Sequence, residues 1–300
     1  MWIYLGLVSV LFLGFYNIAK KHGVKENAVI PVLFFSSLSG ALVLLPCILI
    51  STFCPELTSG TLFEISPLSW TDHLFISVKA IILGCSWILS YFALKHLPIS
   101  IVQPIRASSS IFTIFGAILI YGETPLLMQW VGIGIILISY FFFSVIGKKE
   151  GIIFHQNKWI YYMILATILG ATCGLYDKFL VVTKGYDPTT LLAWFSLYLF
   201  LFYACITLVL WWPNRSKTTP FTWKWTIPCI GVLLVCADMV YYLAIEDGAD
   251  LIVLSPLRKS NVLISFFLGA YIFKEKNKRL KALALVGVLI GVIIIVCSKQ

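Results

Sequence analysis

Charge is scarce in this chain of 300 residues, with Asp, Glu, Lys and Arg together making up 12% of it, about half the share of a soluble globular domain. No stretch is polar enough to supply a separate soluble domain. Acidic residues are the scarcer sign, 13 against 22 Lys and Arg, for a net charge of +9. The surplus lies in short connectors rather than along one helix face among stacking aromatics, so a nucleic-acid partner is not expected. Histidine is rarer still. His22, His73, His96 and His155 sit in or beside connectors, with no His-Glu-x-x-His pattern and no His/Cys cluster, so no metal and no cofactor is expected. Also missing are a nucleophile elbow and paired acids inside an apolar run, which argues against an intramembrane or lipid-processing enzyme. The N-terminus lacks a basic segment and a small-residue cleavage site, so the first apolar run is expected to stay as a helix. Of the cysteines, Cys47, Cys85, Cys173, Cys205, Cys229, Cys236 and Cys297 fall within apolar runs, where they are expected to pack as small side chains rather than form disulfides.

What is present is apolar sequence. Hydrophobic residues make up 60% of the chain and the mean hydropathy is +0.96, the signature of an integral membrane protein. Runs long enough to cross a ~30 Å hydrocarbon core fall at about 2 to 20, 28 to 53, 73 to 94, 98 to 121, 127 to 147, 159 to 182, 189 to 212, 224 to 246, 250 to 273 and 280 to 298. The expected fold is therefore an all-α membrane protein with ten transmembrane helices. Trp70, Trp130, Trp159, Trp211, Trp212, Trp223 and Trp225 crowd the run ends, where amphipathic rings anchor at the headgroups. Lys and Arg concentrate in the odd-numbered connectors, which by charge bias places both termini outside.

The second half repeats the first. Phe12-Leu13-Gly14-Phe15-Tyr16-Asn17 corresponds to Thr172-Cys173-Gly174-Leu175-Tyr176-Asp177, and Phe34-Phe35-Ser36 to Trp194-Phe195-Ser196. Tyr91-Phe92-Ala93-Leu94 corresponds to Tyr242-Leu243-Ala244-Ile245, Pro104-Ile105-Arg106 to Pro256-Leu257-Arg258, and Tyr121-Gly122-Glu123 to Phe273-Lys274-Glu275. Five runs repeat as five, and because five is odd the copies enter the membrane in opposite senses. That gives two inverted five-helix repeats, 1–150 and 151–300, the logic of secondary transporters.

Within each repeat one run carries a proline and a cation, a costly pair in lipid. A charge near the bilayer centre costs roughly 2.5–3.5 kcal/mol even on lenient insertion scales. At ~1.5 Å per residue, Arg106 and Arg258 lie about 12 Å deep, near the midplane. Lys259 is one step deeper, Asp238 is comparable, Lys79 is shallower, and Lys178 is placed near enough to an end to snorkel. Arg106, Arg258, Lys259 and Lys79 outnumber Asp238, with Asp177 nearer the edge, so an anion from outside is expected to meet the excess. The planar fork of arginine suits a carboxylate or phosphate, and the Arg258-Lys259 pair is the expected receiver; pairing of Arg258 or Arg106 with Asp238 purely as helix glue is the competing account.

Pro104 and Pro256 each lack an amide hydrogen and are expected to break their helices, freeing the carbonyls of Ser100 and Ile252; Ser108, Ser109 and Ser110 in one copy and Ser255, Ser260 and Asn261 in the other are expected to bond the freed backbone or the ligand. Tyr16, Tyr176, Tyr91 and Tyr242 occupy duplicated positions; the first, second and fourth are candidate substrate contacts, with core packing the alternative. Asp238 is the candidate proton-coupling acid. Glu123 and Glu275 are expected to sit near the N-termini of the fifth and tenth helices. The pairs Gly170 with Gly174 and Gly287 with Gly291 suit close helix contacts, the latter within one chain or across a dimer.

Ten runs in two halves, Gly14-Phe15-Tyr16-Asn17 and Gly174-Leu175-Tyr176-Asp177 ending the first and sixth, and Tyr121-Gly122-Glu123 and Phe273-Lys274-Glu275 closing the fourth and ninth resemble the EamA-type branch of the drug/metabolite transporter superfamily. The resemblance implies a substrate cavity between the halves lined mainly by the first four helices of each. It also implies alternating access without ATP, and both termini in the cytoplasm, opposite to the charge bias. Arg258-Lys259 is similar to the phosphate-binding pair of triose-phosphate translocators. The expected function is transport of a small polar, by charge anionic, metabolite across the cytoplasmic membrane by a monomer or homodimer. The alternatives are an exporter of amino acids or of neutral or cationic drugs and metabolites, and a non-transporting membrane protein or lipid-processing enzyme.

Overall fold

A computed structural model of the chain describes residues 1–61, 63–149, 156–272 and 278–298. Among them there is helix and no strand. The helices are α1 (Trp2–Val24), α2 (Val29–Phe53), the single turn α3 (Pro55–Thr58), α4 (Trp70–His96), α5 (Ile99–Ala107), α6 (Ser109–Tyr121) and α7 (Leu127–Lys149). The second half has α8 (Lys158–Lys178), α9 (Pro188–Ile206), α10 (Thr226–Glu246), α11 (Leu251–Lys259), α12 (Asn261–Ile272) and α13 (Lys278–Cys297). π-helical turns at Phe179–Thr183 and Thr207–Trp211 lengthen α8 and α9. Among the described residues, seven helical stretches are long and apolar enough to cross a membrane, and Ile111–Tyr121, Leu127–Ser139 and Leu285–Ile295 are shorter apolar helices. Glu275 and His155 lie outside the described residues.

Local sequence sets the ends. Ser69 opens α4 through a reciprocal capping box with Asp72, two otherwise orphaned amides being satisfied at once. Asp187 caps α9 by accepting from the Thr190 amide, with Pro188 at the first helical position. Gly122 stops α6 at φ 65°, a left-handed value that costs glycine nothing. Lysines close other ends: Lys21 Nζ donates to the carbonyls of Leu94 and Leu97 at 2.6 and 2.8 Å, and Lys224 Nζ to those of His22 and Lys25 at 3.0 and 2.6 Å.

The halves interleave rather than sit side by side. α1 packs along α10, α4 along α8, and α2 between α9 and α10, while α7 and α13 pair at the periphery. Two contacts need glycine. A Cβ on Gly231 would lie 2.1 Å from the Ser36 carbonyl oxygen, and one on Gly291 would lie 2.7 Å from that of Gly132. Thus Gly287 and Gly291 serve contact between α13 and α7 within the chain, as expected. Gly170 and Gly174 do not: a Cβ there would meet only Ser86 Oγ at 3.6 Å and Tyr241 Oη at 3.9 Å, because these glycines face a cavity.

Large apolar side chains cover the outside, including Leu11, Phe15, Phe141, Leu208 and Val209, a surface that water would not tolerate but lipid does. Five cysteines, at 54, 85, 205, 229 and 297, are exposed, whereas Cys173 is buried. Outward faces, not tight packing, therefore account for most of them.

Candidate functional site

Two helix interruptions position the site, and serine chemistry sets both. The breaks fall at Ser108, between α5 and α6, and at Ser260, between α11 and α12, four residues beyond Pro104 and Pro256 rather than at the prolines. Ser108 gives both its amide and its hydroxyl to the Ile105 carbonyl, at 3.2 and 2.6 Å. Ser260 repeats this on Leu257, at 3.1 and 2.7 Å. A hydroxyl competing for a carbonyl three residues back tightens the turn and ends the α-helical ladder. Arg106 and Arg258 precede these turns, and Ser109 and Asn261 follow them.

Between the halves lies a cavity with room for water centres over about 120 Å³, several times the ~10–15 Å³ that one water needs. Its wall draws on α1, α4, α5, α6, α8, α10, α11 and α12. α2 and α9, expected to contribute, instead line a smaller void around Ser36, Gly40 and Ser196. Arg106, Arg258, Lys259, Asn261, Ser109, Tyr16, Tyr242 and Asp238 all reach the cavity. Tyr176 does not. Its hydroxyl donates to the Phe75 carbonyl at 3.2 Å and its ring stacks on Phe179, since the duplicated position faces a neighbouring helix.

The charges divide into paired and unpaired. Arg258 donates to Asp238 through Nη2 and to Ser9 Oγ through Nε at 3.1 Å, with its guanidinium carbon 4.1 Å from the Tyr241 ring centroid. Lys79, fully buried, pairs with Asp177 at 2.7 Å and donates to the Tyr242 hydroxyl. Both cavity-lining acids are thus committed. Among the described residues no carboxylate stands within 4.0 Å of Arg106 or Lys259. Arg106 and Tyr16 line the same cavity. The expected receiver, Arg258 with Lys259, is accordingly divided, with Arg258 tied to its own chain and Arg106 and Lys259 left over.

Polar atoms are stranded there as well. Ser109 Oγ and Asn17 Oδ1 are buried in the cavity wall and neither has a hydrogen-bond partner among the described residues. Asn17 Nδ2 donates to Asn261 Oδ1 at 2.8 Å and Ser265 Oγ at 3.1 Å. A buried acceptor without a donor costs free energy, so a ligand or water that donates to it is stabilised.

The structure also moves two residues from their expected roles. Lys178 does not snorkel but pairs with Glu123 at 2.5 Å. Glu123 in turn accepts from the Leu251 and Ile252 amides at 3.4 and 3.2 Å, so it serves the N-terminus of α11 rather than that of α7. Tyr241 and Asn17 also line the cavity, and Lys20 lies behind Tyr16, outside the cavity wall. Asn17 and Asp177 are the divergent ends of a duplicated motif; Lys20 looked like one more connector cation. No group of three or more His, Cys, Asp or Glu side chains could hold a metal among the described residues.

The EamA-like transporter family model matches residues 1–145 and again 157–297. The chain belongs to the EamA-like transporter family. It is accordingly a multi-pass membrane transporter of the drug/metabolite transporter superfamily, built as two repeats. One crystal structure superposes with a TM-score of 0.67 over 98% of this chain and 95% of that one, at 14% identity; likeness at that identity shows the shared fold alone. No curated protein matches the sequence.

Proposed function

We propose that this EamA-like protein is a secondary transporter for a small anionic metabolite, and that Arg106 and Lys259 receive the anion. The carrying observation is the charge division in the cavity, where Asp177 and Asp238 neutralise Lys79 and Arg258 and leave two cations with no carboxylate. Uncompensated cations in a poorly solvated place attract an anion strongly. Arg106 supplies a fork of donors and Lys259 a point charge, while Tyr16, Tyr242, Ser109 and Asn261 offer hydroxyl and amide partners around them. The helix interruptions at Ser108 and Ser260 supply the two hinges for alternating access.

The reading includes ten spans in two inverted five-helix repeats, 1–150 and 151–300, in the cytoplasmic membrane. One of the paired charges joins helices of different repeats, Lys79 of α4 with Asp177 of α8, and both repeats of one chain line the cavity, so a second copy is not required.

Purified protein in liposomes preloaded with malonate tests this by exchange with labelled malonate outside. Saturable exchange is expected, with about a 10- to 150-fold loss of apparent affinity in Arg106→Gln, the equivalent of the roughly 1.5–3 kcal/mol of a charge-assisted hydrogen bond. Exchange of neutral or cationic metabolites alone would refute the anionic assignment.

A further inference from the structure

Lys20 is buried at 1% exposure near the end of α1, although its place in the sequence is beside a charged connector. Its ammonium lies 3.2 Å from Ser90 Oγ, 4.1 Å from the centroid of the Tyr91 ring and 5.6 Å from that of Tyr16. No carboxylate stands within 4.0 Å among the described residues, whereas Lys79 and Lys178 meet theirs at 2.7 and 2.5 Å. The groups that face it are Ser90 and Tyr91 from α4 and Tyr16 from its own helix, and the charges of Arg106 on α5 and Lys259 on α11 act on it from the cavity wall. Tyr203 of α9 is also electrostatically coupled to Tyr16 and Tyr91.

Tyr16 connects this lysine to the cavity. Its side chain lines the cavity, its hydroxyl lies 3.5 Å from that of Tyr91, and Lys20 rests over both rings. With the cavity empty, a charged Lys20 adds a third cation to Arg106 and Lys259. An anion between Arg106 and Lys259 reverses that balance and favours the ammonium form.

We propose that Lys20 is the proton-carrying group of this transporter: a bound anion recruits one proton from water onto the neutral Nζ, forming the ammonium, and anion and proton cross together. On release the ammonium returns its proton to water on the far side, so Lys20 ends the cycle neutral again and one proton has crossed with each anion. The proposal rests on the anion reading above and gives it a coupling ion. It also moves the coupling role from Asp238, whose carboxylate is held by Arg258, to a group without a counter-charge.

Calorimetric titration of the detergent-purified full chain with sulfate, and separately with malonate, in Tris and in HEPES at pH 7.5 tests it. The two buffers differ in ionisation enthalpy, so a buffer-dependent heat counts protons. The expected wild-type result is net uptake approaching one proton per anion. Lys20→Arg, permanently charged, is expected to bind the anion within about threefold of wild type with no uptake, and Lys20→Met to bind more weakly with none. Arg preserves the cation, so it guards against misfolding in the Met variant, and both are checked by melting temperature. Anion binding whose proton uptake is absent in wild type, or survives in Lys20→Arg, overturns the role of Lys20 and leaves the anion site standing. Uptake that survives there and vanishes in Asp238→Asn returns the role to Asp238. Failure of both anions to bind overturns the anion site and this coupling together.

Discussion

Arg106 and Arg258 occupy equivalent positions of the two repeats, and opposite consequences are expected from removing them. Arg258→Ala strands Asp238, whose side chain is 9% exposed, and takes a donor from Ser9 and a cation from Tyr241. Breaking a fully buried pair costs about 3–5 kcal/mol. The Arg258 side chain is 18% exposed and borders a cavity with room for water, so screening reduces this to roughly 2–3 kcal/mol. At about 2–4 °C per kcal/mol for a large domain, the melting temperature falls by roughly 4–12 °C. Arg258→Ala/Asp238→Ala is expected to recover most of that loss, because no charge is left alone. Arg106→Ala strands no carboxylate and relieves repulsion with Lys259, so its ligand-free melting temperature stays level or rises. Its defect is confined to ligand: malonate at ~100 times Kd should stabilise wild type by about 2.7 kcal/mol and barely shift Arg106→Ala. Tryptophan fluorescence melts in detergent, with and without malonate, read both quantities. If Arg106→Ala is the more destabilised without ligand, or the double variant is no better than Arg258→Ala, the division into tied and free cations is wrong.

Three further outcomes follow from the same geometry. Glu123→Ala removes both the partner of Lys178 and the acceptor for the Leu251 and Ile252 amides, so amide exchange at the start of α11 should quicken and stability fall by about 1–3 kcal/mol; unchanged exchange at those amides would contradict the cap. Tyr16→Phe is expected to weaken malonate binding several-fold while Tyr176→Phe leaves it unchanged, since only Tyr16 lines the cavity; equal effects in a binding titration would count against the cavity as the site. Gly231→Val should abolish stable expression, because its Cβ would lie 2.1 Å from backbone oxygen of α2, whereas Gly248→Ala, in open space at φ 82°, should cost only about 1 kcal/mol, measured by thermal melting.

Long apolar runs made the helices legible, since their length and hydropathy are properties of single segments. The duplicated Arg106 and Arg258 likewise pointed to the cavity both now line. What single segments could not reveal is pairing between them. Along its own segment Asp177 is simply an acid nearer the edge, and only the packing of α8 on α4 joins it to Lys79; Lys178 likewise lies within snorkelling reach of an end, and only the end of α6 brings Glu123 to it. Lys20 stands in the sequence beside Lys21 and Lys25 of a charged connector, where nothing local marks it as buried. Its burial depends on Tyr16, Ser90 and Tyr91 closing around it. The prolines drew attention to the right segments, but the interruptions follow the serines, whose competing hydrogen bonds are a local effect of comparable strength.

The two repeats share a scaffold and differ in chemistry. Arg106 matches Arg258, Ser109 matches Asn261, and Ser108 matches Ser260, so the hinges and one cation of each repeat are duplicated. In the same alignment Asp238 meets Trp87, Lys259 meets Ala107, Lys79 meets Ile230, and Lys20 meets Leu180. A fully symmetric cavity would hold two identical arginines, and would bind an anion equally from either side with no group set apart to carry a proton. Asp238 breaks that symmetry by holding Arg258 and leaving Arg106 without a carboxylate. Lys259 then supplies a second receiver, and Lys20 lies behind Tyr16 on one side only. On the proposed reading, the duplicated elements provide two hinged halves, and the unduplicated charges decide what those halves bind and which proton accompanies it.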